Sequence, residues 1–510
     1  MRTFKRFNCY FIIFHMGKDI VFELIKSMNQ AEKRYFRRYS TLHSENKNNK
    51  YIELFELIDK SKTYDKNKIQ KILCLKHFAQ NKKHLMSKLL DSLREYNKGK
   101  TIESKSAITA IDIVELQKRG LQKQAKKSLK VAKNLSVKSE RHLEHLKLMQ
   151  METTLLREET NIRELENHLK KLKAQLNTSI DILQNELEYE QEYLNMVKWN
   201  KEIEFVRTKK ELEKLQKIIL NPIFKNEKKA LSSKAKIYYY YIKGICHFFT
   251  GNFQKSADNF KCQLSIFEHN PQNKETNPIQ YIRCIGNLCL LQTKLEDQEN
   301  FITNFERLEQ TPYYSEKIYD YKSYLTSMLR LMNLVQNKHY KQAAILIEES
   351  KSTLTTNINP SDEWYMEWLY FTFDSVTTYM NLGDYNEALR HLNLYLNKAD
   401  ENLKLDSFCI ARVLNLLIHF ELDNYDLLEY ILVSTKRYLE GRKRLLKFEN
   451  IVLEFIKSSL NVGPNKEQEI LFTKLRKDLN KLKTDPFEKH VFQYFDFTNM
   501  IDNRIKKHLN

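Results

Sequence analysis

Two imidazoles and a carboxylate lie within one helical turn in Glu140-Arg141-His142-Leu143-Glu144-His145. Imidazole nitrogens and carboxylate oxygens are ligands for zinc-like cations, and helical spacing can bring them to one face. The zinc-hydrolase pattern needs histidines four apart with Glu directly after the first, so that ligands and base share that face. Here the histidines are three apart and Glu144 precedes the second. The segment is therefore expected to be an exposed polar helix face, as is the pair His77 and His84 among its lysines. Nine scattered glycines leave no room for a phosphate-cradling loop, and no strand-turn-helix context for a nucleophile is visible. No catalytic, cofactor or metal site is assigned, the chain is expected not to be an enzyme, and no small-molecule substrate is expected.

Binding chemistry is better represented. Tyr238-Tyr239-Tyr240-Tyr241 puts four phenols in succession. At about 100° per residue they sweep the whole circumference of a helix, so they cannot all face one core. Either a helix is buried on two sides, which is the favoured reading, or part of the run lines a groove. Trp364 and Trp368, one turn apart after Pro360-Ser361-Asp362, are expected to be packing residues. Basic clusters stand at Lys33-Arg34 with Arg37-Arg38, at Lys82-Lys83 with Lys88, at Lys123 with Lys126-Lys127 and Lys130, and at Arg442-Lys443-Arg444. Beside Tyr35, Phe36 and Tyr39 they could neutralise a phosphate backbone and stack bases. The basic-patch candidates are Arg34, Arg37, Arg38, Lys82, Lys83, Lys126 and Lys127.

The elements that must position these residues are helices. In 510 residues there are only 9 Gly and 7 Pro, and no Pro precedes Pro222. Folds rich in tight turns need far more of both. The net charge of +20 is uneven: residues 1–150 carry 34 Lys and Arg against 15 Asp and Glu, and the remainder carries 51 against 50. Such a basic third suits a nucleic acid or an anionic surface. Lys, Asn, Ile and Tyr are frequent throughout, however, and lysine on solvated helix faces is the plainer reading. Seven cysteines at irregular spacing, none in a C-x-x-C pair, suggest reduced thiols and a cytoplasmic protein. No apolar run reaches the roughly 18 residues of a membrane span. Residues 1–15 faintly imitate a signal peptide without a cleavage site, and Met16 is expected to be the natural start.

Along the chain, residues 16–105 read as a basic domain of four helices. Asn29 and Glu32 form a capping box at the head of the second, and Leu85, Leu89, Leu90 and Leu93 make the core stripe of the last. Residues 106–460 show a repeat, clearest at Gly383-Asp384-Tyr385, then Glu387-Ala388 and Leu392. A Gly ends one helix in the left-handed conformation. Asp384 caps the next, Tyr385 plugs the gap between the two, Ala388 permits a close crossing and Leu392 is buried. The order recurs at Gly251, Phe253, Ser256, Phe260 and at Gly120, Gln122, Ala125, Leu129, Ala132. Weaker copies stand at Lys338, Tyr340, Ala343, Ile347 and at Asp423, Tyr425, Leu428, Leu432. The long intervals between these turns fit units of about 44 residues, with further turns expected near Thr160, Arg207 and Glu296. Over 151–220 the apolar stripe Leu155, Ile162, Leu165, Leu169, Leu172, Leu176, Ile180, Leu183, Leu187 suits a helical hairpin better than a coiled-coil seam. After a break at 461–465, residues 465–510 read as capping helices, the last starting at Asp485-Pro486 and running through Phe487, Val491, Tyr494, Phe495 and Phe497.

The aromatic, small and large apolar residues of these units resemble the second helix of the tetratricopeptide repeat family. Gly244 and Tyr379 match its first helix, although Leu116, His247, Leu334 and His419 stand where Tyr379 does in the other copies. The family's Trp and terminal Pro are not in register, and its period is about 34 residues rather than 44. The resemblance covers about 350 residues and implies an all-α, right-handed α-solenoid of antiparallel helix pairs. It also implies a protein–protein interaction scaffold that binds a peptide or helix of a partner in a concave groove. By analogy the groove would be lined by Tyr238, Tyr241, Arg283, Asn287, Tyr370, Phe373, Thr377 and Arg412. The alternative is a nucleic-acid-associated regulator acting through the basic N-terminal third.

Overall fold

A computed structural model of the chain describes residues 19–42, 50–61, 63–73, 77–100, 102–157, 162–312, 316–351, 358–362, 364–462 and 466–509. The described residues are all-helical, with no strand among them. The chain divides into two compact units, residues 1–172 and 173–510. The division falls inside a helix, whereas the sequence reading separated segments at 105/106 and 460/465.

The first unit contains α1 (Ile20–Ser27), α2 (Gln30–Leu42), α3 (Lys50–Lys60), α4 (Lys66–Ile72), α5 (Phe78–Tyr96), α6 (Ile102–Lys118), α7 (Gln122–Lys138) and α8 (His142–Leu156). Among the described residues five helices, not four, precede residue 100. The run expected from Ile69 to Phe78 is split, because α4 ends at Ile72. The capping box at α2 is present: the Asn29 N–H donates to Glu32 Oε2 at 2.9 Å, and the Glu32 N–H donates to Asn29 Oδ1 at 2.9 Å. Leu85 and Leu89 are buried, but Leu90 faces solvent, one position round the helix from the stripe. Two apolar clusters form, one between Val21 and Leu89 and one between Ile113 and Leu155.

Helix α9 (Ile162–Glu202) runs unbroken for 41 residues, so the hairpin expected over this stretch does not form. No Gly or Pro lies between 162 and 202 to supply the turn. An extended link, Ile203–Arg207, follows, so the turn expected near Arg207 is not a helix–helix turn. Thr160 lies outside the described residues. Then come α10 (Lys209–Ile219), α11 (Ser233–Phe249), α12 (Phe253–His269), α13 (Pro271–Thr276), α14 (Pro278–Lys294), α15 (Gln298–Gln310), α16 (Glu316–Gln336), α17 (Tyr340–Ser350), α18 (Tyr365–Leu382), α19 (Tyr385–Lys398), α20 (Leu405–Glu421), α21 (Tyr425–Gly441), α22 (Lys447–Leu460), α23 (Lys466–Leu482) and α24 (Phe497–Leu509). The expected final helix is interrupted. Asp485 does cap, accepting from the Phe487 and Glu488 N–H groups, but a 3-10 helix at Glu488–Gln493 precedes α24.

From α11 to α21 the helices come as hairpins: α11 with α12, α14 with α15, α16 with α17, α18 with α19, α20 with α21. Each hairpin turns on one left-handed residue, namely Gly251, Glu296, Lys338, Gly383 and Asp423, at successive spacings of 45, 42, 45 and 40 residues. The Asp384 carboxylate accepts from the Glu387 N–H at 3.1 Å, and Ala388 and Leu392 are fully buried. Close crossing is enforced at Gly244, where a Cβ would stand 2.8 Å from the Phe260 ring. Ser256 Oγ donates to the Gly244 carbonyl at 2.8 Å across the same contact.

Two glycines can therefore be told apart by substitution. Gly244→Ala overpacks a helix crossing and should cost about 1–3 kcal/mol. Gly383→Ala meets open space at φ +77° and should cost only the left-handed strain, about 1 kcal/mol. Urea unfolding of the two variants checks the order. Equal losses would show that the crossing is not tight.

Candidate functional site

The inner helices of these hairpins are buried on nearly every side, and the Tyr238–Tyr241 run shows why. Tyr238 stacks on Tyr193 of α9 at 4.6 Å, and Tyr241 meets the same ring edge-on at 4.8 Å. Tyr239 packs against Tyr189 and Phe224. Tyr240 donates its hydroxyl proton to Glu227 Oε2 at 2.7 Å. Helix α11 is thus covered by α12 on one side and by α9 on the other. The link after α9 continues the cover: the Val206 N–H donates to the Phe249 carbonyl at 2.9 Å, and Phe205 stacks on Phe248 and His490.

Where this cover stops short, a cavity of about 360 Å³ is left. Its walls come from the end of α9 (Asn200, Lys201), from α11 (Tyr241), α14 (Arg283, Asn287), α16 (Tyr321) and α18 (Tyr365, Glu367, Tyr370), and from Lys404. Arg283 donates from Nε to the Tyr321 hydroxyl at 3.4 Å. The Tyr321 phenol foremost, then Tyr193, Tyr241 and the Glu367 carboxylate, hold Arg283 well above its ordinary value against the cost of burial. Lys404 takes a left-handed conformation at φ 48°, and its N–H donates to the Lys201 carbonyl at 2.7 Å. Burial pushes its ammonium below the usual value. A mixed lining of cations, carboxylates, amides and phenols can hold a polar group and an apolar body together.

A smaller cavity of about 90 Å³ adjoins it along Tyr370 and Lys404, with Glu204, Phe373, Asp374, Lys294, Tyr395 and Tyr494 in its wall. Asp374 keeps part of its surface open to this space. Burial foremost pushes its carboxyl up to about 7, with Lys294 opposing and Glu204 reinforcing.

Of the eight groove candidates, Tyr241, Arg283, Asn287 and Tyr370 line the larger cavity, and Phe373 and Tyr370 line the smaller. Tyr238 lies behind, against Tyr193. Thr377 is buried one turn further on, donating to the Asp374 carbonyl, and borders neither cavity. Arg412 lies over the Tyr438 ring at 4.1 Å, away from both. Sequence reasoning missed Asn200, Lys201, Glu367 and Lys404. Glu367, a carboxylate inside the aromatic run Trp364–Phe373, was the one with a visible signal.

The basic-patch candidates are scattered in role. Arg37 pairs with Glu56 at 2.6 Å and with Asp59 at 2.8 Å, and Lys82 pairs with Asp19. Arg34, Arg38, Lys83, Lys126 and Lys127 face solvent. Arg442 pairs with Glu401, and Arg444 is buried between Glu211 and Asp406. His145 is not on an exposed face as expected: it is buried, with Nδ1 2.9 Å from Ser136 Oγ.

One arrangement had no sequence signal. The Arg207 guanidinium is fully buried, 2.6 Å from Glu449 Oε1 and 3.0 Å from Glu488 Oε2. It ties the link, α22 and the 3-10 helix into one cluster. Comparisons of the chain with protein-family models, with curated proteins and with solved structures return no match.

Two measurements follow from these charges. Arg207→Met leaves two buried carboxylates uncompensated and should cost about 3–5 kcal/mol, read by urea unfolding. Asp374 has a folded value above its unfolded one, so the native state holds the extra proton between about pH 4 and 7. Its contribution is therefore present at low pH and lost as pH rises through that window. Asp374→Asn should flatten this fall. An unchanged pH profile would place the carboxyl in a water-like setting.

Proposed function

We propose that residues 173–510 form a tetratricopeptide-like array, wound as a right-handed solenoid, that acts as a non-catalytic scaffold. A peptide or helix of a protein partner would be held at the larger cavity. One observation carries this reading: Tyr241, Arg283, Asn287 and Tyr370, chosen for their repeat position, line a single cavity contributed by successive inner helices. The turn spacings of 45, 42, 45 and 40 residues support the array. Arg283 and Asn287 would read polar groups of the partner, and Tyr241, Tyr321 and Tyr370 would take an apolar side chain. A reducing, cytoplasmic setting fits the thiols of Cys246, Cys289 and Cys409, each pushed up to about 12 by burial. The alternative, nucleic-acid binding through the basic third, draws on fewer side chains once Arg37 and Lys82 are counted as paired.

The test is capture from native lysate with the full chain and with Lys201→Ala/Asn287→Ala, each with and without nuclease. A protein retained after nuclease by the parent, and bound roughly tenfold more weakly by the variant (about 1.4 kcal/mol), is the expected result. The variant's melting temperature should stay close to the parent's, since neither side chain is fully buried. Equal retention by both would remove the cavity from the contact. Loss of all partners on nuclease treatment would favour the basic third.

A further inference from the structure

We propose that α9 carries a homodimer contact, docking on α9 of a second copy in antiparallel orientation. The helix has two distinct faces. Along one, Leu172, Ser179, Glu186, Tyr189, Tyr193 and Met196 are buried. Along another, Ile162, Leu169, Ile180, Leu187 and Leu194 are 73%, 48%, 49%, 64% and 60% exposed, and Leu176 is half-buried. A line of large aliphatic side chains in water marks a contact surface.

The spacing names the occupant. The six residues follow one another at 7, 7, 4, 7 and 7 positions. All fall on the a and d sites of one unbroken heptad frame. The series is its own reverse about Thr178. A twofold axis there lays Ile162 against the second copy's Leu194, Leu169 against its Leu187, and Leu176 against its Ile180. Such self-complementarity is the requirement of an isologous contact, and an unrelated partner would have no use for it. The seam spans 33 residues, about 50 Å at 1.5 Å per residue, which exceeds four heptads.

Charge sets the direction. Residues 183–193 carry Glu186, Glu188, Glu190 and Glu192 and no Lys or Arg, whereas residues 163–173 carry Arg163, Lys170, Lys171 and Lys173 against Glu164 and Glu166. A parallel pair would set the acidic stretch beside its own copy. The antiparallel pair sets it beside the basic stretch, and it also opposes the two helix dipoles. The remaining a and d sites are Glu166, Lys173, Leu183 and Glu190. The same axis lays Lys173 against Leu183, over which its ammonium can lift, and Glu166 against Glu190, whose carboxylate is neutralised by Lys234 at 2.8 Å. Polar residues at such sites weaken a seam but fix its register.

The full chain should run in light scattering at twice its 61.3 kDa. Leu187→Glu/Leu194→Glu should run as the monomer with unchanged helical circular dichroism, since both side chains already face water. Direction is read by oxidation of cysteine variants, scored above the parent chain's own background. Leu169→Cys/Leu187→Cys should form an interchain disulfide and neither single variant should. Residues 169 and 187 lie about 27 Å apart on one helix, so closure within a chain is excluded. A monomeric parent, a dimer that survives the double Glu substitution, or single variants that cross-link as readily as the double would each overturn the proposal. The dimer does not depend on the partner groove, so failure of either reading leaves the other standing.

Discussion

A guanidinium taken out of water must be paired, and much of the second unit is arranged to satisfy that of Arg207. Left alone, an ion of this size in a low-dielectric interior is prohibitively unfavourable. Glu449 and Glu488 supply the counter-charge, and both also serve the start of α22. The Leu446 N–H donates to Glu449 Oε2, and the Lys447 N–H donates to Glu488 Oε1. Carboxylates at a helix N-terminus are favourably placed. The same groups thus neutralise the arginine, cap a helix and anchor the 3-10 helix that carries Glu488. Arg444, between Glu211 and Asp406, extends the network.

The link carrying Arg207 lies against the end of α11, where the Val206 N–H bonds to the Phe249 carbonyl and Phe205 stacks on Phe248. Helix α20 can be apolar almost all round because α19, α21 and α22 pack around it, with Phe408, Ile410, Val413, Leu414, Leu416 and Leu417 all buried. Four consecutive tyrosines are tolerated in α11 because different groups receive them: Tyr238 and Tyr241 share the Tyr193 ring of α9, Tyr239 meets Tyr189 and Phe224, and Tyr240 bonds to Glu227. The cavity is the remainder, left where α9 ends at Glu202 and the link has not yet met α20. Its polar lining follows from position, since groups at the seam between cover and array keep either water or a partner.

The local features were legible in the sequence. Caps at Asn29, Asp384 and Asp485, and turns at Gly120, Gly251, Lys338, Gly383 and Asp423, depend on a few adjacent residues, and the structure has all of them. The turn at Glu296 was placed by period alone and is also present. What failed depended on distance. The hairpin over 151–220 was inferred from a periodicity that one long helix satisfies equally well. The burial of Arg444 and His145 could not be read, because a charged or polar residue at helical spacing looks the same whether its partner is water or a side chain from another element. Half of the groove candidates reached the cavity, because repeat position fixes which helix a residue sits on more firmly than which way it points.

The arginine cluster also sets a timetable. Arg207 and Glu449 are separated by 242 residues of chain, and Arg207 and Glu488 by 281. At 5–20 residues per second, a ribosome needs roughly 12–50 s after making Arg207 to deliver Glu449, the first carboxylate that pairs with it directly. During that interval the link cannot settle against the inner helices without stranding a bare cation. The hairpins from α11 to α21 close on neighbours already synthesised, so they can assemble as they emerge. Closing the link over the end of α11 therefore waits until α22 has been made.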